Sequence, residues 1–145
     1  MQFALGILLI VQLSLPPGAP LPQVLTANFK SSAVVKAGQK TDIVVTFTAL
    51  KGYVIDRQPQ TPITLKLTEV TGVKLAKSEI VASTEDPKSK DEYYVDLPTI
   101  HVSATFAKAG KYEVPGKLTY FFCSKADTSF CSRQQVDVKI PLQVQ

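Results

Sequence analysis

Apolar side chains recur at every second position along several short stretches of this chain, a spacing that restricts it to half-buried strands. In residues 42–50, Ile43, Val45, Phe47 and Ala49 share one parity, with Asp42, Val44, Thr46 and Thr48 on the other. Residues 63–70 set Ile63, Leu65 and Leu67 against Thr64, Lys66 and Thr68. Residues 100–106 set Ile100, Val102, Ala104 and Phe106 against His101, Ser103 and Thr105, and residues 135–144 repeat the pattern with Val136, Val138, Ile140 and Leu142. Successive strand side chains point to opposite faces, so each stretch offers one face to a core and one to water. Shorter candidates are residues 23–30, 31–35, 53–55, 73–81, 93–97, 112–114 and 117–122. Gly38, Gly52, Gly72, Gly110 and Pro115-Gly116 supply turns between them. Residues 56–62, with Pro59 and Pro62, and residues 83–92, with Pro87, read as loops. No segment longer than ten residues has a helical period beyond the leader. Eight or nine short strands with turn signals at spacings of roughly 8–12 residues predict an all-β fold, an immunoglobulin-like antiparallel β-sandwich.

The 145-residue length fits one domain with a real core. No charged side chain precedes Lys30, and residues 3–15 form an apolar run ended by Pro16-Pro17-Gly18. That run is shorter than the ~20 residues a membrane span needs and suits the apolar region of a signal peptide. The expected organisation is a signal peptide over residues 1–22 and an immunoglobulin-like domain over residues 23–145. An exported protein, periplasmic or extracellular, follows from that reading, with no stable membrane span in the mature chain. The net charge of +4 comes from lysines scattered among acids (Lys36, Lys40, Lys51, Lys66, Lys74, Lys77, Lys88, Lys90). Without a basic cluster interleaved with aromatics there is no case for nucleic acid, only for weak attraction to acidic partners.

The two cysteines, Cys123 and Cys131, bracket the polar link of residues 124–129 between two strand-like runs. Thiols at the mouths of paired strands come within disulfide reach. An oxidising compartment permits such a bond. Two readings stay open: a permanent clasp on a hairpin, or a dithiol that cycles. Cycling requires a reachable sulfur with a lowered pKa, and Lys125 and Arg133, each two residues beyond a cysteine, are candidate sources of positive charge. His101, the sole histidine, lies on the polar parity of its strand and reads as a solvated imidazole. No cofactor or metal site is expected, since a zinc site would have to recruit both cysteines, His101 and a carboxylate at no recognised spacing. The acidic pairs Glu85-Asp86 and Asp91-Glu92 sit among lysines and read as solvated. No nucleophile elbow or phosphate loop is present.

Several motifs occur in a set order: Gly52-Tyr53-Val54-Ile55, Pro62-Ile63-Thr64-Leu65, Gly110-Lys111-Tyr112, residues 116–123 (Gly-Lys-Leu-Thr-Tyr-Phe-Phe-Cys), Cys131, and the closing Val136-Asp137-Val138-Lys139-Ile140-Pro141-Leu142. Together they resemble the N-terminal (alpha) domain family of the periplasmic thiol:disulfide interchange protein DsbD, over residues 30–144. The resemblance implies a sandwich whose Cys123 and Cys131 form an exchangeable, catalytic disulfide. It also implies partners that are thioredoxin-like proteins or a membrane electron-transfer protein. Tyr53, Tyr120 and Phe122, and with them Tyr112, are then candidates to line or cap the disulfide, with Tyr53 best placed at a loop entrance. The competing reading makes these aromatics core residues. The competing reading for the whole chain is a non-catalytic binding or interaction module with a structural disulfide.

Overall fold

A computed structural model describes residues 21–31, 34–127 and 129–145. The expected signal peptide lies almost wholly outside them. Nine strands form two antiparallel sheets, with no helix among the described residues. They are β1 (Leu25–Ser31), β2 (Lys40–Ala49), β3 (Tyr53–Ile55), β4 (Thr64–Leu67), β5 (Val73–Leu75), β6 (Glu79–Val81), β7 (Ile100–Phe106), β8 (Gly110–Ser124) and β9 (Cys131–Val144). The first sheet runs β1-β2-β7-β5. The second runs β3-β8-β4-β6, and β9 pairs with the remaining side of β8. The expected all-β sandwich is the fold.

The alternating parities set the layers. Ile43 and Val45 from β2, Ile100, Val102 and Phe106 from β7, Leu65 from β4, and Leu118, Tyr120 and Phe122 from β8 are all buried in one core cluster. Their odd or even neighbours face out. At roughly 1.5–3 kcal/mol for each fully buried large apolar side chain, this interlayer packing is the main force holding the sheets together.

Three segments depart from the expected strands. Residues 73–81 split into β5 and β6, which belong to different sheets, so the chain crosses the sandwich between them. Residues 93–97 are a loop touching the sheet through one bridge, Asp56↔Tyr93. Pro115-Gly116 is not a turn. It lies inside β8, whose pairing with β9 runs unbroken from Gly110↔Val144 to Cys123↔Cys131. The reason is positional. Ser124 N–H donates to Phe130 at 3.0 Å, so the even residues of β8 bond to β9 and the odd ones face the other way. Pro115 is odd and sits just past the end of β4, so no ladder partner there needs its missing N–H, while its carbonyl accepts from Thr68 N–H at 2.9 Å.

Gly116 is needed for close approach. A Cβ there would stand 2.7 Å from Leu67 Cδ2 and 2.8 Å from the Lys66 carbonyl oxygen. The carbonyl belongs to a paired strand and cannot swing aside. Gly116→Ala is expected to destabilise the domain by ~1–3 kcal/mol, the usual cost of overpacking. Urea denaturation would check it; an unchanged midpoint would mean that β4 and β8 separate freely.

Candidate functional site

Cys123 ends the regular pairing of β8, and Cys131 begins β9 directly opposite. Because the next pair, Ser124 with Phe130, is hydrogen-bonded, the cysteines occupy a non-hydrogen-bonded position, where strands approach most closely. Their Cα atoms are 4.0 Å apart and the sulfurs are bonded. The disulfide of the described chain therefore follows from register alone.

Parity decides which side of the sheet it occupies. Val114, Leu118, Tyr120 and Phe122 point into the core, so Cys123, odd, points outward. Cys131 is exposed, as are Arg133 and Gln135 on the same face of β9. Cys123 is nevertheless only 3% exposed. Val54 on β3 flanks it across the sheet, and Tyr93 comes over from the loop after β6. The Tyr93 hydroxyl donates to Cys123 Sγ at 3.5 Å. Burial first, then Glu92, through its charge and a side-chain hydrogen bond with the phenol, and then the charges of Asp56 and Asp91 push the Tyr93 phenol up from its ordinary value, so it keeps its proton at neutral pH. The disulfide thus has one buried, hydrogen-bonded sulfur and one partner on the exposed side.

The loop that delivers Tyr93 is tied down internally. Asp86 is buried and accepts from the backbone N–H groups of Val95 (2.7 Å), Asp96 (2.9 Å) and Lys88 (3.1 Å). Arg57 donates to the carbonyls of Asp91 at 2.9 Å and Thr84 at 3.1 Å. The Tyr94 hydroxyl donates to the Ser83 carbonyl at 2.5 Å, and burial pushes that phenol up to about 12. Tyr94 N–H donates to Ile55, and Ser89 Oγ to the Tyr93 carbonyl. For Asp86, desolvation pushes the carboxyl up, but the Asp96, Val95 and Lys88 amides and the Arg57 charge outweigh it and hold it below the ordinary value. A folded pKa lowered in this way stabilises the loop fully above the unfolded value, near pH 4, and the contribution is lost as pH falls through the folded one. The protection of the Val95 and Asp96 amides, taken relative to their intrinsic exchange rates at each pH, is therefore expected to hold down to about pH 4 and to fall below it; Asp86→Asn should lose that protection at neutral pH. Equal protection in the variant would show that Asp86 does not hold the loop. The acidic pair Glu85-Asp86, expected to be solvated, thus contributes one buried carboxylate.

The structure places the other sequence-derived candidates elsewhere. Tyr120 and Phe122 are on the core face of β8, opposite to the disulfide, with rings 6.3 Å apart. The Tyr53 ring meets Phe122 edge-on at 5.6 Å and packs with the core. The Tyr120 hydroxyl accepts from the N–H groups of Leu25 (3.0 Å) and Val24 (3.2 Å) and donates to Gln134 Oε1. Tyr112 packs on Phe106 at 5.1 Å. The structure thus brings the two cysteines together on the outer face and Tyr53, Tyr120 and Phe122 together on the core side; the aromatic whose hydroxyl reaches the disulfide is Tyr93. Its sequence signal was Tyr93-Tyr94 closing an otherwise charged loop, a mark that the loop end packs against something but not against what. Lys125 lies in the hairpin link, with its N–H bonded to the Gly52 carbonyl at 2.9 Å. Arg133 lies on the disulfide's face of β9. His101 is on the first sheet, its Nδ1 3.0 Å from Asp42 Oδ2.

No protein-family model and no curated protein sequence matches the chain. Among solved structures, the cohesin module from Clostridium perfringens ATCC13124 family 33 glycoside hydrolase aligns with 83% of this chain and 96% of its own length, at 10% identity and a TM-score of 0.43. A likeness that distant carries no argument about what this chain does.

Proposed function

We propose that the chain is an exported thiol–disulfide exchange domain that passes reducing equivalents through Cys123 and Cys131 to or from thioredoxin-like partners or a membrane electron-transfer protein. The observation that carries this reading is the asymmetry of the disulfide: Cys131 is on the exposed side, and Cys123 is buried under a phenol that donates to its sulfur. A partner thiolate attacks Cys131 Sγ in line with the S–S bond. A mixed disulfide forms, the Cys123–Cys131 bond breaks, and its electron pair leaves on Cys123. The Tyr93 hydroxyl faces the developing thiolate and stabilises it, since hydrogen bonds to ions are the strong ones. A second partner thiolate then attacks the mixed disulfide and releases Cys131. Two electrons, and two protons once both thiols are neutral, have moved to the domain, and the partner holds a disulfide. The resemblance to the DsbD alpha-domain family points the same way.

The second reading is a binding module whose disulfide is a permanent clasp. It is favoured by the unbroken register leading up to Cys123↔Cys131 and by the burial of Cys123. A redox titration in glutathione buffers, with alkylation of free thiols, separates the two. Equilibration within minutes at a potential near or above roughly −250 mV is the expected result for a catalytic pair; resistance to reduction below roughly −300 mV means a clasp.

A further inference from the structure

The lysines that are dispersed in sequence are not dispersed on the fold. Cross-strand register sets Lys40 of β2 opposite Thr105 of β7, and Thr105 opposite Lys74 of β5. Directly opposed residues share a face, and the buried neighbours Thr41, Ala104, Phe106, Val73 and Leu75 show that this row points outward. Adjacent strands are about 5 Å apart, so Lys40 and Lys74 flank Thr105 across roughly 10 Å. Two depressions open along this row. One, of about 220 Å³, is lined by Lys40, Lys74 and the Ser103 and Thr105 positions; the other, of about 330 Å³, by Lys40, Lys77, Ser103 and His101. They share Lys40, Ala76 and Ser103, and form one trough with Lys40, Lys74 and Lys77 in its lining and no carboxylate residue there, Asp42 standing opposite Ser103 beside it.

The opposite sheet handles its lysines differently. There Lys117 pairs with Asp137 at 3.6 Å and Lys139 with Glu113 at 3.9 Å, and the row Asp137, Lys117, Lys66, Glu79 balances two acids against two bases. Among the described residues, Lys40, Lys74 and Lys77 are in no ion pair, and Asp42 beside them is engaged by His101. Lysines that face one another across an intervening strand repel; an anion seated between them offsets that repulsion.

We propose that this trough binds a small phosphate-bearing ligand, its charged oxygens bridging Lys40 and Lys74 over the Thr105 and Ser103 hydroxyls, with Lys77 and His101 at the far end. A small ligand fits the concave shape, whereas a flat lipid surface would meet only the lysine tips. The site is on the opposite sheet from the disulfide and stands whether or not the cysteines exchange.

The test is an amide-shift NMR titration of the full chain at low ionic strength, with inorganic pyrophosphate as the probe. Saturable shifts confined to β2, β5, β7 and Lys77 are expected. Lys40→Ala/Lys74→Ala should weaken binding at least tenfold, and Lys117→Ala/Lys139→Ala, which removes the same charge from the other sheet, less than twofold. Lys74→Gln, which keeps the side-chain stem, should weaken it at least threefold and guards against a misfolded double variant. Non-saturating shifts, or equal losses in the two double variants, overturn the proposal. So does lysine-dependent binding to phosphatidylglycerol vesicles without saturable pyrophosphate binding, which would make the face a membrane contact instead.

Discussion

Cys131→Ser is expected to suppress mixed-disulfide formation with an oxidised, disulfide-bearing thioredoxin-like partner, whereas Cys123→Ser should accumulate it, the attacked partner disulfide releasing its second sulfur as a thiolate. In Cys123→Ser the remaining thiol is on the exposed side of β9 and meets a partner disulfide directly. With no resolving cysteine, the mixed disulfide persists. In Cys131→Ser the remaining thiol is only 3% exposed, under Tyr93 and beside Val54. Its reaction waits for the loop to open. The contrast is read by the rate of iodoacetamide alkylation of each folded single variant. Cys123 should react on the order of a hundredfold more slowly than Cys131, the factor set by a local opening of about 2.7 kcal/mol at tenfold per 1.4 kcal/mol. Both variants also lose the clasp, at ~2–3 kcal/mol by the loop-entropy account, so the rates are compared at a denaturant-free temperature well below each midpoint. Equal rates would remove the asymmetry on which the exchange mechanism rests.

The second large effect is expected at Tyr120. This side chain is fully buried, and its hydroxyl joins the start of β1 to the second sheet through Leu25, Val24 and Gln134. Gln134 is itself tied to that segment, accepting from Val24 N–H at 3.0 Å and donating to the Pro22 carbonyl at 3.0 Å. Tyr120→Ala should cost ~3–5 kcal/mol, as for other large aromatic deletions in a core. Tyr120→Phe keeps the ring and strips the acceptor from the buried Leu25 N–H, while Val24 N–H retains Gln134 Oε1; this should cost ~1–3 kcal/mol. Urea denaturation of both variants separates packing from hydrogen bonding. A Phe variant as stable as the parent would show that Gln134 or water takes over the Leu25 amide. Burial raises the Tyr120 phenol and the Leu25 and Val24 amides pull it down by less, so the proton that Gln134 receives stays in place at neutral pH.

The core strands were legible because a period of two needs no partner to be read. Residues 42–50, 63–67, 100–106 and 136–144 carry their burial in their own alternation. The turn expected at Pro115-Gly116 was not there, because neither residue is a breaker by itself. Proline is excluded only where a ladder needs its N–H, and Gly116 is required by the approach of Lys66 and Leu67 from another strand. The strand expected over residues 93–97 failed for a related reason. Its backbone is claimed by Asp86, Ile55 and Ser89 rather than by a neighbouring ladder.

At the candidate site the division is sharper. Spacing alone brought the cysteines within reach of each other. Parity, too, was present in the chain: Cys123 is one residue past Phe122, so the two cannot share a face of one strand. What parity could not supply was the identity of the group over the outward sulfur. Tyr93 reaches Cys123 across thirty positions, through a loop held by Asp86 and Arg57. The lysines of the first sheet behave alike, since Lys40 and Lys74 become neighbours only when β2 and β5 line up on either side of β7. Local alternation, turn residues and the cysteine spacing therefore determined the sandwich and the cysteine hairpin by themselves, because each depends on residues near in sequence. Which sulfur is covered, which aromatic covers it and where charge collects were decided by tertiary structure, because those depend on strand order and on one long loop that no local period encodes.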